Sequence, residues 1–448
     1  MSGCIARKTT GVNGPLPAGS GAHSPSPTSA SQLPNMKLPP GSPVHLPAIE
    51  TAAANYSNPD SKITALFKQG LLFPENLATV TSDDTVFVST GDIHAEWLRD
   101  SSAEVRPYIY FAKVDATVSR FVCEFIARQA KSVQANPYAN AFNQDYSVWE
   151  DKFELDSLAY IVTFAWSYWQ YTGDTTIFTS DFAAAMDTVL TTLEKEQDHA
   201  NRSSYYRSDE NDTPVGNTGM VWTGFRPSDD PCQYHFLIPS EMMTVVALGD
   251  LAQIEGTVYH NATQSARAQK LRQDIHNGIQ KYGIVNKPGV GMVYAYEVDG
   301  LGHANFMDDA NIPSLLSAPY LGYGGISNPT YQATRQFVLS SGNPFYAQGS
   351  VASGVGSPHT PQGYVWPLAI LMKGFTSTSR ADQQNVIDTL VNSTTNGTLI
   401  ESFDPNNPRN HTRDSFGWPN ALFTEYMMTV FGNTQAQPFG NTQDLTFQ

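Results

Sequence analysis

Two adjacent acids stand in a stiff loop, and their setting suggests acid catalysis. Asp229 and Asp230 lie between two prolines, just after Arg226, in the stretch GMVWTGFRPSDDPCQYHFLIPSEM over 219–242. Proline fixes φ and stiffens the loop, and neighbouring carboxylates repel, which favours a raised pKa at one of them. A carboxyl group that keeps its proton near neutral pH can act as a general acid. Arg226 is then a candidate substrate-binding residue, and the alternative is an Asp N-cap for a helix beginning near residue 239.

A glutamate later in the chain is the matching candidate for a general base. Glu401 follows two apolar residues and enters a loop that also holds Arg413, in the stretch GTLIESFDPNNPRNHTRDSFGWPNALFTEY over 397–426. A carboxylate in such a loop can accept a proton from water. The alternative is that Glu401 forms an ion pair with Arg413 and has no catalytic part.

A tryptophan among charged residues suggests a sugar subsite. Trp97, Arg99 and Asp100 occur in the stretch GDIHAEWLRDSSAEVRPY over 91–108. An indole ring can cover the apolar face of a sugar, while arginine and carboxylates form paired hydrogen bonds to hydroxyl groups. The competing interpretation is a capped helix start with local ion pairs.

Two further loops hold candidate substrate-binding residues. Asp308 and Asp309 lie in YAYEVDGLGHANFMDDANIPSLLSAPYLGY over 294–323, and His359 stands between two prolines in GSVASGVGSPHTPQGYVWPLAI over 349–370. Capping of the next helix explains one of the two acids but not both. A lone histidine is more often structural than catalytic, although this one lies on a rigid loop and not on an apolar face.

Charge and missing motifs exclude several classes of function. The 448 residues carry 26 Lys and Arg against 42 Asp and Glu, a net charge of −16, which repels nucleic-acid backbones. No run of 18 apolar residues predicts a membrane span. The sequence has no phosphate-binding loop, G-x-S-x-G elbow, H-E-x-x-H motif or EF-hand loop, and its three cysteines match no zinc spacing. We therefore expect no cofactor and no metal.

The hydrophobic pattern predicts about a dozen helices in one domain. Helical spacing of apolar residues marks a core helix from residue 155 to Gly173, and it recurs in segments of similar length. The other predicted helices span 61–70, 102–113, 116–133, 179–197, 239–256, 263–282, 312–317 (short), 329–340, 366–375, 380–392 and 420–431. Only DTVFVST and GMVYAYEVDG resemble strands. Paired helices of this number predict an all-α fold, an (α/α)6 barrel with small β pieces in its loops.

Composition divides the chain into a tail and a body. Residues 1–54 are rich in Pro, Gly and Ser, which predicts a disordered segment, and no comparable linker interrupts 55–448. The predicted polar clusters lie in the gaps between helices, where a rigid scaffold presents binding groups. We expect a single domain over 55–448, and a monomer.

Sequons bear on the compartment. Seven asparagines begin N-x-S/T, namely Asn55, Asn201, Asn211, Asn261, Asn392, Asn396 and Asn410. They favour the secretory pathway or an extracellular location. The first 30 residues contain no apolar signal core, which leaves a cytoplasmic protein as the alternative.

Carboxylate-bearing and aromatic loops on a helical ring suit glycoside hydrolysis. One carboxylic acid protonates the leaving oxygen, while a second carboxylate activates water or attacks the anomeric carbon. The separation of the two carboxyl groups decides between inversion and retention. That separation is not encoded in the sequence spacing.

The motifs in series resemble glycoside hydrolase family 125, the exo-α-1,6-mannosidases that in fungi are called the meiotically up-regulated 157 family. The resemblance runs in order from about residue 60 to about 430. It rests on GDIHAEWLRDSSAEVRPY, YANAFN, FELDSLAY, GFRPSDDPCQYHFLIPSEM, YAYEVDGLGHANFMDDANIPSLLSAPYLGY, GVGSPHTPQGYVWPLA, ESFD and TRDSFGWPNALFTEY.

This resemblance implies an (α/α)6 barrel that removes non-reducing terminal α-1,6-linked mannose from oligosaccharides or N-glycans with inversion and without a metal. The family's acid corresponds to Asp229 or Asp230, with Asp230 preferred, and its base to Glu401. The mannose subsite then draws on Trp97, Arg99, Asp100, Asp308, Asp309 and His359. The seven sequons fit a eukaryotic, fungal member.

Two other readings of the sequence stay open. One is a different helical-ring glycosidase, either a calcium-dependent α-1,2-mannosidase or a glucoamylase-like enzyme. The other is a mannan-binding protein without catalytic activity on the same scaffold. Chelator sensitivity, a panel of mannobiose linkages and product formation separate the three.

Overall fold

The structure, a computed structural model, describes residues 40–205, 213–394 and 397–432. Within these ranges the backbone is mainly helical. The helices, numbered in chain order, are α1 (Pro47–Asn55), α2 (Ser61–Leu77), α3 (Leu98–Val105), α4 (Ile109–Ala112), α5 (Ala116–Ala135), α6 (Leu155–Thr172), α7 (Ser180–Glu196), α8 (His199–Arg202), α9 (Ile238–Thr257), α10 (Ala262–Gly278), α11 (Pro329–Val338), α12 (Pro367–Phe375), α13 (Arg380–Ser393) and α14 (Gly417–Tyr426). None of the helices in these ranges combines the length and apolarity that a bilayer crossing requires.

Burial separates the helices into an inner and an outer ring. Nearly every residue of α3, α6, α9, α12 and α14 is buried, as is most of the segment of turns over 312–323. The helices α2, α5, α7, α10, α11 and α13 are buried along one side only. Inner and outer elements alternate along the chain, and the last inner helix, α14, packs against α3 to close the ring. The predicted all-α (α/α)6 barrel is confirmed.

The alternation sets the direction of the inner helices. Because one outer helix separates each inner helix from the next, and successive helices in such a ring run antiparallel, the inner helices all run the same way. Their N-terminal ends therefore lie at one end of the barrel. The loops that enter the inner helices gather at that end.

Short strands connect these loops. The strands are β1 (Ala78–Val80), β2 (Val86–Val88), β3 (Glu96–Trp97), β4 (Ala141–Phe142), β5 (Val148–Glu150), β6 (Phe236–Leu237), β7 (Ile284–Lys287), β8 (Gly291–Tyr294), β9 (Glu297–Val298), β10 (Ala304–Asn305), β11 (Tyr346–Gln348), β12 (Ser353–Val355), β13 (Ser402–Asp404) and β14 (Asn407–Thr412). They form antiparallel sheets of two or three strands. The order β3-β4-β5 joins the loop before α3 to the loop before α6, and β6-β9-β10 joins the loop before α9 to the loop before residue 312. The small β pieces therefore fix neighbouring loops to one another.

Two expectations from the sequence are wrong in detail. The predicted helix over 312–317 is a succession of turns, because Asp308 accepts hydrogen bonds from the backbone N–H groups of Leu315 and Leu316. The predicted tail over 1–54 includes most of α1, whose Ile49 and Ala53 are buried against the core. The spacing of these apolar residues outweighs the Pro-rich composition around them. Residues 1–39 of that predicted tail lie outside the described residues.

Candidate active site

The predicted site residues lie at one end of the barrel because each precedes or begins an inner element. Trp97, Arg99 and Asp100 lie at the start of α3, and Asp229 and Asp230 lie in the loop that leads to α9. The others occupy equivalent loops: Asp308 and Asp309 precede the turns over 312–323, His359 precedes α12, and Glu401 precedes α14. The fold thus gathers residues from five separate stretches of sequence.

Arg99 is surrounded by four carboxyl groups. Its guanidinium lies 2.6 Å from Glu154 Oε2, 3.2 Å from Asp100 Oδ2, and 3.4 Å from both Asp156 Oδ2 and Asp229 Oδ1. One buried cation cannot neutralise four buried anions. Burial accordingly raises the pKa of Asp100 to about 6 and raises the pKa of Glu154 well above its ordinary value.

Asp229 is held in a strained turn. Its φ is 64°, in the left-handed region that non-glycine residues seldom adopt, and its backbone N–H donates to the Arg226 carbonyl at 2.9 Å. Asn140 Nδ2 donates to Asp229 Oδ1 at 3.1 Å. Burial acts to raise the pKa of Asp229, but Arg99 and the Glu154 carboxyl outweigh it, so this pKa lies below its usual value. For Asp229 the raised pKa expected from charge repulsion within the DD pair is therefore wrong.

Asp230 is about as exposed as Asp229 but has different partners. Its side chain is 28% exposed, and its two oxygens have separate partners. Ser228 Oγ donates to Oδ2 at 3.1 Å, and His359 Nδ1 lies 3.4 Å from Oδ1. Of the two adjacent acids, Asp230 is thus the one outside the four carboxyl groups around Arg99.

His359 lies beside Asp230, in the loop before α12. The hydrogen bond with Asp230 raises the pKa of His359 despite partial burial, and the negative charges of Glu401 and Asp229 act in the same direction. Asp230 is thus in contact with the imidazole, and Glu401 and Asp229 act on it through their charge. Its loop is held by Ser357, whose Oγ accepts from the His359 backbone N–H at 3.2 Å.

Glu401 lies beside Arg413 in a buried position. Its side chain is 6% exposed, and Arg413 Nη1 is 3.5 Å from Glu401 Oε1. The same arginine donates through Nε to Asp92 Oδ1 at 3.1 Å. The ion pair considered in the sequence analysis is present, but Arg413 is shared between two carboxylates and does not enclose Glu401.

Trp97 and Arg226 are fixed at the edge of this cluster. Trp97 Nε1 donates to Glu150 Oε2 at 3.3 Å, and the same oxygen accepts from Asn140 at 2.9 Å. Arg226 donates through Nε to Glu297 Oε1 at 2.6 Å. Both predicted substrate-binding residues are therefore held by carboxylates from adjacent loops.

Asp308 and Asp309 are fully buried. Both carboxylate oxygens of Asp308 accept hydrogen bonds from backbone N–H groups, and burial raises the pKa of Asp308 to about 8. Asp309 accepts from Asn311, and at 3.1 Å from Ser357 Oγ. These contacts give both residues a structural role, since Asp308 fixes the turns and Asp309 supports the loop of His359 through Ser357; their substrate contacts stay a prediction.

Three residues that were not predicted from the sequence complete the site. Glu154 and Asp156 occur in the motif FELDSLAY, and Asn140 occurs in YANAFN. An acid just before and inside the first turn of an apolar helix is normally read as a cap. The signal that could have identified them is the number of acids that converge on one buried arginine, which only the fold reveals.

Known proteins show the same architecture. A bacterial glucoamylase complexed with acarbose matches with a TM-score of 0.59 at 14% identity, covering 84% of this chain and 57% of that one, a likeness of fold alone. A Streptococcus pneumoniae protein, described as one of a family of widely distributed metal-independent α-mannosidases and solved in a non-productive substrate complex with α-1,6-mannobiose, matches with a TM-score of 0.79. It is 37% identical and the match covers 85% of this chain and 96% of that one.

The sequence relatives agree with the structural ones. The Meiotically up-regulated gene 157 protein of Schizosaccharomyces pombe is 36% identical over 388 residues, which make up 77% of this chain and 76% of that protein. The family profile described as metal-independent alpha-mannosidase (GH125) matches residues 60–428. The resemblance seen in the motifs is thereby confirmed, and the chain belongs to glycoside hydrolase family 125, the metal-independent α-mannosidases.

Proposed function

We propose that this α-mannosidase is an exo-acting, inverting enzyme that hydrolyses non-reducing terminal α-1,6-linked mannose. The observation that carries the proposal is that the fold brings Asp230 and Glu401, far apart in sequence, to loops at the same end of the barrel, where His359 lies 3.4 Å from Asp230 and feels the charge of Glu401. The α-1,6-mannobiose complex of the Streptococcus pneumoniae relative supports the linkage. Mannose-containing oligosaccharides and N-glycans are the substrates that fit it.

Asp230 is the proposed general acid. A proton from its carboxyl group passes to the glycosidic oxygen as the bond from that oxygen to the anomeric carbon breaks. Its place outside the Arg99 group favours it over Asp229, whose pKa is lowered. Asp229, with Arg99 and Asn140, is then available to bind sugar hydroxyl groups.

Glu401 is the proposed general base. It takes a proton from a water molecule whose oxygen attacks the anomeric carbon on the face opposite the leaving group, so the released mannose has the β configuration. Arg413 lies 3.5 Å from this carboxylate and orients it. No step requires a metal ion, in agreement with the description of the family.

Hydrolysis of α-1,6-mannobiose followed by NMR tests enzyme, linkage and stereochemistry together. With the methyl glycoside of this disaccharide, whose blocked reducing end releases no free anomer, we expect β-mannose to appear first, and α-mannose as the initial product would contradict inversion. A panel of α-1,2-, α-1,3-, α-1,4- and α-1,6-mannobioses tests the linkage. Sequential release of single mannoses from a mannotriose labelled at its reducing end tests the exo action.

Variants separate the two catalytic roles. Glu401→Gln should lower kcat by roughly 10²–10⁴-fold or more on every substrate. Asp230→Asn should lose activity on α-1,6-mannobiose but keep most of it on 2,4-dinitrophenyl α-mannoside, whose leaving group needs no proton. If Asp229→Asn shows that pattern and Asp230→Asn does not, Asp229 is the acid. Saturable mannose binding with no product from the wild type would instead indicate a binding protein.

A further inference from the structure

A group of three potential metal ligands lies outside the candidate active site. A ring nitrogen of His45 and one carboxylate oxygen each of Glu50 and Glu75 all lie within 4.8 Å of one another. The residues that the structure describes contain no other such group of His, Cys, Asp or Glu side chains. His45 precedes α1, Glu50 lies in its first turn, and Glu75 lies near the end of α2.

One oxygen of the Glu75 carboxyl group has no hydrogen-bond donor among the described residues. Glu75 is 4% exposed, and its Oε1 accepts from the Leu46 backbone N–H at 2.7 Å. Its Oε2 is buried and accepts no hydrogen bond from any residue in the described ranges. An unpaired buried acceptor is costly. One Glu75 oxygen lies within 4.8 Å of the ligand atoms of Glu50 and His45, which are themselves accessible to solvent.

The donor set and spacing suit a zinc ion. Zinc binds imidazole nitrogen and carboxylate oxygen at about 2.0–2.2 Å in tetrahedral geometry, which separates neighbouring ligand atoms by about 3.3–3.6 Å. The distance from His45 Nδ1 to Glu50 Oε1 is 3.4 Å. Calcium, which takes six to eight oxygens, is poorly served by three protein ligands of which one is nitrogen.

Charge favours a cation at the same place. Glu50 and Glu75 bring two carboxyl groups together, one of them buried. A divalent cation would offset the repulsion between them and give Glu75 Oε2 the partner that it lacks.

We propose that His45, Glu50 and Glu75 bind one zinc ion, with water as the fourth ligand, and that this ion fixes α1 to α2. The role is structural, because none of the three ligands touches the residues assigned to catalysis. The site is therefore compatible with hydrolysis that needs no metal.

Zinc titration of chelator-treated protein tests the proposal. Calorimetry with zinc chloride near neutral pH should show one equivalent bound. Saturating zinc should raise the unfolding temperature by roughly 2–5 °C, and calcium chloride should not. Turnover of a mannoside should be the same with and without chelator.

Variants assign the binding to the three ligands. His45→Ala and Glu50→Gln alter exposed side chains, and Glu75→Gln keeps an oxygen for the Leu46 N–H, so all three should fold. Each should weaken zinc binding at least about tenfold and abolish the zinc-dependent thermal shift. His303→Ala is the matched control, since His303 pairs with one carboxylate, Asp299, and should leave zinc binding unchanged.

Two results would overturn the assignment. One is the absence of any zinc-dependent heat or thermal shift in the wild type, which would leave a proton shared by the two carboxylates as the explanation of the group. The other is equal zinc binding by the wild type and all three variants, which would place the metal elsewhere in the chain.

Discussion

At the scale of single residues, the arginine among four acids determines how the site is charged. Arg99 makes its shortest contact, 2.6 Å, with Glu154, yet burial raises the pKa of Glu154 well above its ordinary value. Glu154 Oε1 has no ordinary donor, and it lies within hydrogen-bonding reach of Asp229. A protonated Glu154 satisfies both observations, because its hydroxyl donates to Asp229 while Oε2 accepts from Arg99.

Replacing Glu154 distinguishes a neutral from a charged side chain. Glutamine retains one acceptor for Arg99 and one donor for Asp229, so Glu154→Gln should change kcat by less than about threefold and stability by less than about 1 kcal/mol. Glu154→Leu removes both bonds and should cost about 1–3 kcal/mol. The measurements are kcat on α-1,6-mannobiose and urea unfolding. If the glutamine variant is as impaired as the leucine variant, Glu154 acts as an anion.

His359 should make stability depend on pH in a defined direction. Its pKa is raised above the ordinary 6.5, so its contribution is complete below about pH 6.5 and is lost as the pH rises through the raised pKa. We expect His359→Gln to destabilise the protein by up to about 1 kcal/mol at about pH 6 and by nothing measurable at about pH 9, a small effect because the side chain is 40% exposed.

Urea unfolding at the two pH values measures this difference. His260→Gln is the control, since His260 is an exposed histidine in the loop between α9 and α10. A destabilisation by His359→Gln that grows with pH would show that the neutral ring is the stabilising form.

At the scale of elements, ion pairs fasten the inner ring. Arg106 follows α3 directly, and its Nε donates to Glu425 Oε1 of α14 at 2.8 Å, with both side chains at most 3% exposed. Tyr320, in the inner turns over 312–323, donates to the other oxygen of Glu425 at 2.9 Å. One carboxylate therefore joins three inner elements.

Glu425→Gln should weaken the ring more than removal of a surface pair. The amide keeps the shape but leaves the buried Arg106 without its carboxylate, which typically costs about 3–5 kcal/mol. Glu124→Gln, which removes a partly exposed pair with Arg120 at 2.7 Å, is the control and should cost at most about 1 kcal/mol. Urea midpoints at constant slope measure both. Similar losses in the two variants would mean that the buried pair is no more valuable than the partly exposed one.

The helices were predictable from the sequence, but the orientation of the acids was not. Apolar spacing identified the alternating helices because each buries a continuous side. It failed at 312–317, where the Asp308 carboxylate accepts hydrogen bonds from two backbone N–H groups. Such bonds leave no trace in the spacing of apolar residues. The sequence could not show that Asp308 faces its own backbone while Asp230 faces His359, since both are acids in loops before inner elements.

At the scale of the whole molecule, contacts between loops close the site around the barrel. Single bridges pair Val365 with Phe403, joining the loops before α12 and α14, and Gly91 with Phe416, joining the loops before α14 and α3. Together with the two three-stranded sheets, these bridges connect neighbouring loops around the ring. The site is complete only when the first and last inner helices meet, and this explains why its residues span most of the chain.

The outer surface bears on the compartment, and we propose that the chain follows the secretory route. Five of the seven sequon asparagines lie in described residues, and all five are exposed: Asn55, Asn201, Asn261, Asn392 and Asn410. Glycan attachment needs such exposure. Asn261 can cap a helix and carry a glycan at the same time. Its Oδ1 caps α10 by accepting from Gln264 N, and a glycan would be attached to its Nδ2. Asn211 and Asn396 lie outside the described residues.

Secretion from a fungal host should therefore yield a glycoprotein whose activity does not depend on its glycans. Endoglycosidase treatment should lower its mass, while the protein made in bacteria serves as the untreated reference. Asn410 is the informative position, because it lies on β14 in the loop between Glu401 and α14, whereas Asn55 ends α1 and Asn261 lies between α9 and α10, in connections that do not enter an inner helix. Asn410→Gln tests it without disturbing Thr412, whose Oγ1 bonds Ser402 at 2.7 Å. If this variant raises kcat/KM on a branched mannan but not on mannobiose, a glycan there restricts large substrates; a secreted protein with no glycan at any sequon would contradict the proposed route.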